Sequence, residues 1–164
     1  MKDIKSLIIY FSRADENYSV GVVEKGNTEI VAEYVKEFTN ADMFKVEPLV
    51  PYAKDYKTCI EEAKERIGNA PIKEKLSDIS EYEVIYIMSP IYWGTYAPEL
   101  ETQLKELDFT GKTIRVITTH EGSGLGNVLS DVKKICIGAN VLDDAIAIQG
   151  STATKSKSKI EQWI

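Results

Sequence analysis

Short apolar runs recur along the chain, separated by stretches with helical spacing. Leu7 to Phe11 is unbroken, as expected of a strand covered on both faces. Ile30, Val31, Tyr34, Val35 and Phe38 then repeat at intervals of three and four, which predicts a helix. Met43-Phe44-Lys45-Val46 alternates and suits an edge strand. Cys59, Ile60, Ala63 and Ile67 predict a second helix ending near Gly68. Val84 to Met88 is another continuous run. Pro98, Leu100, Leu104 and Leu107 predict a third helix, and Thr113 to Thr119 a strand. Leu125, Val128, Leu129, Val132 and Ile135 mark a fourth helix stopping near Gly138. Val141 to Ile148 reads as a weaker strand, and Thr154 to Ile164 as a closing helix with Ile160 and Trp163 facing inward.

Strict alternation of five strands with five helices implies an α/β three-layer sandwich, a parallel sheet with helices on both faces. The first, third and fourth strands are the most apolar and belong in the centre. The second and fifth belong at the edges, giving order 2-1-3-4-5. The switch point then falls between strands 1 and 3, and ligands in such sheets bind beyond the carboxyl ends of the strands there. The chemistry is therefore expected in the loops after strands 1, 3 and 4.

With 164 residues and no repeat or low-complexity linker, residues 1–164 read as a single domain. A net charge of −6 argues against a nucleic-acid partner. The one dense basic stretch, Lys155, Lys157 and Lys159, reads as a solvated helix face. Cys59 and Cys136 form no CxxC and no metal-ligand pair, so two free thiols in a reducing compartment are expected. No apolar run reaches membrane-spanning length or the core of a signal peptide, and the expected location is the cytoplasm.

The loop after strand 1 starts at Ser12-Arg13 and ends in Gly26-Asn27-Thr28, just before the first helix. Hydroxyls and unpaired amides at a helix N-terminus favour an anion; the same three residues also serve as an ordinary cap. The loop after strand 3, Ser89-Pro90-Ile91-Tyr92-Trp93-Gly94-Thr95-Tyr96-Ala97-Pro98, crowds three aromatics between prolines. That composition suits a preformed platform for a flat aromatic ligand, or a hydrophobic turn packed on the next helix. The loop after strand 4, Thr118-Thr119-His120-Glu121-Gly122-Ser123-Gly124-Leu125-Gly126, offers glycine-exposed backbone to a ligand edge. It is no dinucleotide fingerprint, because Asn127 stands where the last glycine belongs. Gly111-Lys112-Thr113 is no P-loop, because Glu106 occupies the first glycine position. His120, the single histidine, reads as a residue that orders its loop. Neither a catalytic triad nor a metal-ligand spacing is evident.

Together the three loops describe a ligand with a phosphate at one end and a flat ring at the other. Tyr10-Phe11-Ser12-Arg13, Gly26-Asn27-Thr28, Pro90-Ile91-Tyr92-Trp93-Gly94-Thr95 and Thr119-His120-Glu121-Gly122-Ser123-Gly124 make the whole chain resemble the flavodoxin family. The resemblance implies FMN as cofactor. It implies that Ser12, Asn27 and Thr28 bind the phosphate. Pro90, Ile91, Tyr92, Trp93 and Gly94 would wrap one side of the isoalloxazine, and Thr119, His120, Gly122 and Ser123 would line the other. The chain departs from the usual compact first loop: residues 13–25 form an insert that contains Asp15-Glu16-Asn17-Tyr18. From it Arg13 and Tyr18 could reach the phosphate or ribityl chain. The alternation in Ser19-Val20-Gly21-Val22-Val23 suggests a β-hairpin there. The family's insertion in the last strand is missing, so the chain resembles the short-chain type.

The resemblance implies an electron carrier shuttling between redox enzymes, with no catalytic residues of its own. The negative charge would steer it toward basic-faced redox proteins, as a monomer or homodimer. An NAD(P)H-dependent FMN or quinone oxidoreductase on the same fold is the alternative, with Tyr92 and Trp93 stacking a second planar substrate. A binding module without flavin is a third reading, opposed by the intact three-loop pattern.

Overall fold

The computed structural model describes residues 5–13, 15–17, 21–23 and 25–164. The first strand, β1 (Ser6–Tyr10), lies between β4 (Asp42–Lys45) and β5 (Val84–Pro90) and pairs with both in parallel. Next to β5 lies β6 (Thr113–His120), and on the far side of β6 lie β7 (Asn140–Val141) and β8 (Ile146–Gln149). With β7 and β8 counted as one interrupted strand, this is the expected order 2-1-3-4-5.

Alternation along the central strands divides the core in two. Leu7, Ile9, Phe11, Ile85, Ile87, Ile114 and Val116 face one side. There they meet Ala63 of α2 (Tyr56–Arg66), Leu100 and Leu104 of α3 (Pro98–Leu104), and Val128 and Val132 of α4 (Val128–Ile135). Ile8, Tyr10, Tyr86, Met88 and Ile117 face the other side, against Val31, Ala32 and Val35 of α1 (Asn27–Thr39) and Ile160 of α5 (Lys157–Trp163). Successive side chains of a strand point to opposite faces, so a run apolar throughout needs helices on both. Cys59 and Cys136 are buried free thiols. Among the described residues, no helix is long and apolar enough to cross a membrane.

Four boundaries differ from the periodicity. The third helix stops at Leu104, and the chain tightens into i→i+3 turns through Glu106 and Leu107. Leu125 precedes α4, because Gly126 adopts φ +52° and interrupts the helical path. The fifth strand is split around Asp143-Asp144. Here Asp144 accepts from Arg115 Nη2 at 2.7 Å, and its carbonyl accepts from Trp163 Nε1 at 2.6 Å. The closing segment is a 3-10 helix over Gly150–Lys155 followed by α5, not one helix from Thr154. Within the insert, β2 (Asp15–Asn17) and β3 (Gly21–Val23) pair antiparallel, matching the hairpin suggested by the sequence.

Candidate functional site

Ser12 leaves β1 and turns its hydroxyl onto the start of α1, where Oγ accepts from the Glu29 N–H at 3.0 Å. The residue before the helix, Gly26, supplies no side-chain cap, so Ser12 caps α1 from outside. Only glycine allows this approach, because a Cβ at position 26 would stand 2.6 Å from the Arg13 carbonyl. The N–H groups of Asn27 and Thr28 have no acceptor among the described residues. Thr28 Oγ1 lies 2.7 Å from Thr119 Oγ1, at the end of β6. A pair of hydroxyls shares one proton and keeps the other for an outside acceptor.

Arg13 is buried, and its Nη2 donates to the carbonyls of Ala53 and Lys54, both at 2.7 Å. Carbonyl acceptors hold the guanidinium in place. The loop after β1 is thereby fastened to the segment leading into α2.

After β5 the chain makes a tight turn, with Tyr92 N donating to the Thr95 carbonyl at 2.7 Å and Thr95 N returning the bond at 3.3 Å. Tyr92 points into the molecule. Its ring meets Phe11 edge-on at 5.7 Å and Tyr52 at 6.2 Å between centroids. Burial, then the neighbouring Cys59 thiol, push the Tyr92 phenol well above its ordinary range, so the hydroxyl stays protonated. Trp93 goes the other way. Its backbone takes φ +53°, its ring is 50% exposed, and its Nε1 donates to the Ile60 carbonyl of α2 at 2.6 Å with Lys64 Nζ 5.0 Å from the ring centre.

After β6, His120 Nδ1 accepts from the Gly122 N–H at 2.9 Å, so the proton of the neutral ring sits on Nε2. Thr118 Oγ1 donates to the Gly124 carbonyl at 2.9 Å. Glu121 reaches to the end of β8, accepting from the Gln149 amide at 3.2 Å and from the Ser151 N–H. This loop is joined to the previous one: Asn127 N donates to the Gly94 carbonyl at 2.7 Å, and Thr95 Oγ1 to Asp131 at 2.6 Å.

Between the three exits lies a cleft of about 340 Å³. Arg13, Asn27 and Thr28 border it from the first loop, Pro90, Ile91 and Tyr92 from the second, and Thr119, His120 and Ser123 from the third. Four other predicted site residues are absent from its lining. Ser12 caps α1, Gly94 and Gly122 hold backbone bonds, and the Trp93 ring lies against α2 instead of the cleft. Tyr18 falls outside the described residues.

Tyr56 and Glu121 also border the cleft, though sequence reasoning passed over them. Tyr56 follows Asp55, whose carboxylate caps α2 by accepting from Thr58 N at 2.9 Å. That cap signal was legible, but the loop follows the edge strand β4, the second of the predicted strands, outside the expected loops after strands 1, 3 and 4. Glu121 gave no signal beyond its place in the glycine-rich loop.

Behind Tyr92 a carboxylate is buried. Glu99 in the first turn of α3 accepts from Tyr52 Oη at 2.7 and 3.0 Å, and Arg66 Nη1 stands 3.5 Å away. Arg66 also stacks on the Tyr52 ring at 4.0 Å. Burial raises the Glu99 carboxyl above its usual range, although Tyr52 and Arg66 pull the other way.

The sequence profile of the Flavodoxin family matches residues 5–164 of this chain. No curated protein sequence matches it. Among solved structures, a Bacteroides uniformis protein described as a flavoprotein is 22% identical, with a TM-score of 0.76, and the match covers 99% of this chain and 98% of that one. A Lactobacillus acidophilus flavoprotein in complex with FMN is 23% identical, with a TM-score of 0.66 and coverage of 93% and 97%. A Fusobacterium nucleatum flavodoxin bound to flavin mononucleotide is 13% identical, with a TM-score of 0.55 and coverage of 98% and 95%. These likenesses are likenesses of fold.

Proposed function

Because the chain belongs to the flavodoxin family, we propose that it holds FMN in the cleft between the exits of β1, β5 and β6 and passes electrons between redox proteins. The observation that carries this reading is the convergence of a donor-rich helix start, an apolar wall and a polar wall on one cleft. The residues present fit the group. The free N–H groups of Asn27 and Thr28, the Thr28–Thr119 hydroxyl pair and the Arg13 charge suit a phosphate. Pro90, Ile91 and Tyr92 offer apolar surface to one side of a flat ring, and Tyr56 adds an aromatic edge. His120, with its Nε2 proton, and Ser123 offer polar contacts on the other side. Ser12, Gly94 and Gly122 serve by holding backbone in place. The two roles proposed for the first loop, cap and anion site, are compatible: Ser12 takes the Glu29 N–H and leaves the two preceding ones for the phosphate.

FMN, when bound, supplies the one- and two-electron chemistry. The protein's part is to bind, to orient and to limit water at the ring. A carrier with net charge −6 is steered toward basic-faced partners, and we place it in the cytoplasm.

The test is direct. Purified protein should be yellow and release FMN, not FAD, on denaturation. Protein that stays colourless after incubation with FMN would sink the reading. Fast steady-state NAD(P)H oxidation with a quinone would replace the carrier by an oxidoreductase on the same cleft.

A further inference from the structure

A second hollow of about 340 Å³ adjoins the first, and His120 borders both. Its other polar groups come from the end of β8 and the segment after it: Gln149, Thr152, Lys155, Ser156 and Lys159, with Ile148 among the apolar contributors. Lys155 ends the 3-10 helix and Lys159 lies in the first turn of α5, and both border the hollow, where the Thr152 and Ser156 hydroxyls donate to the Gln149 and Ala153 carbonyls at 2.8 and 2.7 Å.

The charge in this hollow is unbalanced. No carboxylate lines it among the described residues. The third lysine of the run, Lys157, pairs with Glu37 at 2.8 Å, outside the hollow. Lys159 reaches only the Ala147 carbonyl, at 3.4 Å, and Lys155 has no hydrogen-bond or ion-pair partner among the described residues. Glu121, the nearby carboxylate, is already occupied by the Ser151 N–H and the Gln149 amide. In a chain of net charge −6, two ammonium groups bordering a hollow with no carboxylate in its lining make a local seat for an anion.

We propose that this hollow binds the phosphate group of a small molecule, which then extends over His120 toward the first cleft. What lies across His120 rests on the FMN reading; the phosphate seat does not. Two sources share this chemistry, free phosphate and the phosphate of a nucleotide.

The experiment titrates FMN-saturated protein with inorganic pyrophosphate, and separately with adenosine 2′,5′-bisphosphate, at constant ionic strength, following backbone amide signals by NMR. The shifts of Thr152, Lys155 and Ser156 should saturate. Lys155→Gln combined with Lys159→Gln should weaken that binding about tenfold and leave FMN affinity unchanged. Tighter binding of the bisphosphate identifies a nucleotide as the source, and tighter binding of pyrophosphate identifies free phosphate. The proposal is overturned by amides that do not shift in a saturable way, by a double variant that binds as the parent does, or by pyrophosphate that binds only until FMN is added. The last result would place the anion in the cofactor's own cradle. If FMN is not taken up at all, the same titration on flavin-free protein still reads the hollow.

Discussion

Thr28 and Thr119 come from two elements and meet at 2.7 Å at the base of the cleft. Replacing Thr28 by Val keeps the volume and removes the hydroxyl. FMN affinity should fall by about 1–2 kcal/mol while riboflavin affinity stays level, because only FMN carries a phosphate. Flavin-fluorescence titration checks this, and equal losses for both flavins would separate Thr28 from the phosphate. Trp93 gives a contrasting case. With its ring against α2, Trp93→Ala should leave FMN affinity within about a factor of three, where a stacked ring would contribute about 1–3 kcal/mol. Its positive φ adds a second expectation. Trp93→Ala and Trp93→Gly lose the same ring contacts, but only glycine relieves the left-handed backbone. The Gly variant should be more stable than the Ala variant by about 1 kcal/mol in urea unfolding. The sequence brought Trp93 to the site because it sits among aromatics in the right loop. Which way each ring turns depends on Phe11, Tyr52 and α2, and no local pattern encodes that.

At the scale of elements, α3 places Glu99 in its first turn, where a carboxylate favours the helix dipole, yet buries it completely. Its carboxyl is raised in the folded state, so between the unfolded and folded pKa the native protein holds more protons. Stability from this group is then full below the unfolded pKa and falls as pH rises through the folded value. Glu99→Gln should flatten that decline, so that urea midpoints measured at about pH 5 and about pH 8 lie closer together than in the parent. A variant with the parent's full pH dependence would show that other groups cause it. The sequence could not mark Glu99 as buried, because its partners Tyr52 and Arg66 lie in another stretch of chain. The elements themselves were far more legible. Leu7–Phe11 and Val84–Met88 are apolar throughout because both faces are covered, and that alone put them in the middle of the sheet. The split of the last strand was less legible, although Asp143-Asp144 marks it; what fixes Asp144 there is Arg115 and Trp163, both distant in sequence.

For the whole molecule, net charge −6 coexists with a local lysine face at residues 155–159. If the acidic surface governs encounters, electron transfer to a basic one-electron acceptor protein should slow about tenfold between about 20 mM and about 200 mM salt. Stopped-flow mixing of the reduced protein with such an acceptor measures this, and a rate that rises with salt would assign the encounter to the lysine face. Strand order predicted where the three exits gather, since the switch point follows from topology alone. It did not predict how they are joined to one another. The Gly94–Asn127 backbone bond and the Thr95–Asp131 bond couple the second and third exits, while Arg13 fastens the first to the approach to α2. The Thr28–Thr119 hydroxyl bond closes the ring by joining the first exit to the third. A guest therefore leaves by parting at least one of these clasps, and mutations that loosen any of them should speed its departure more than its arrival.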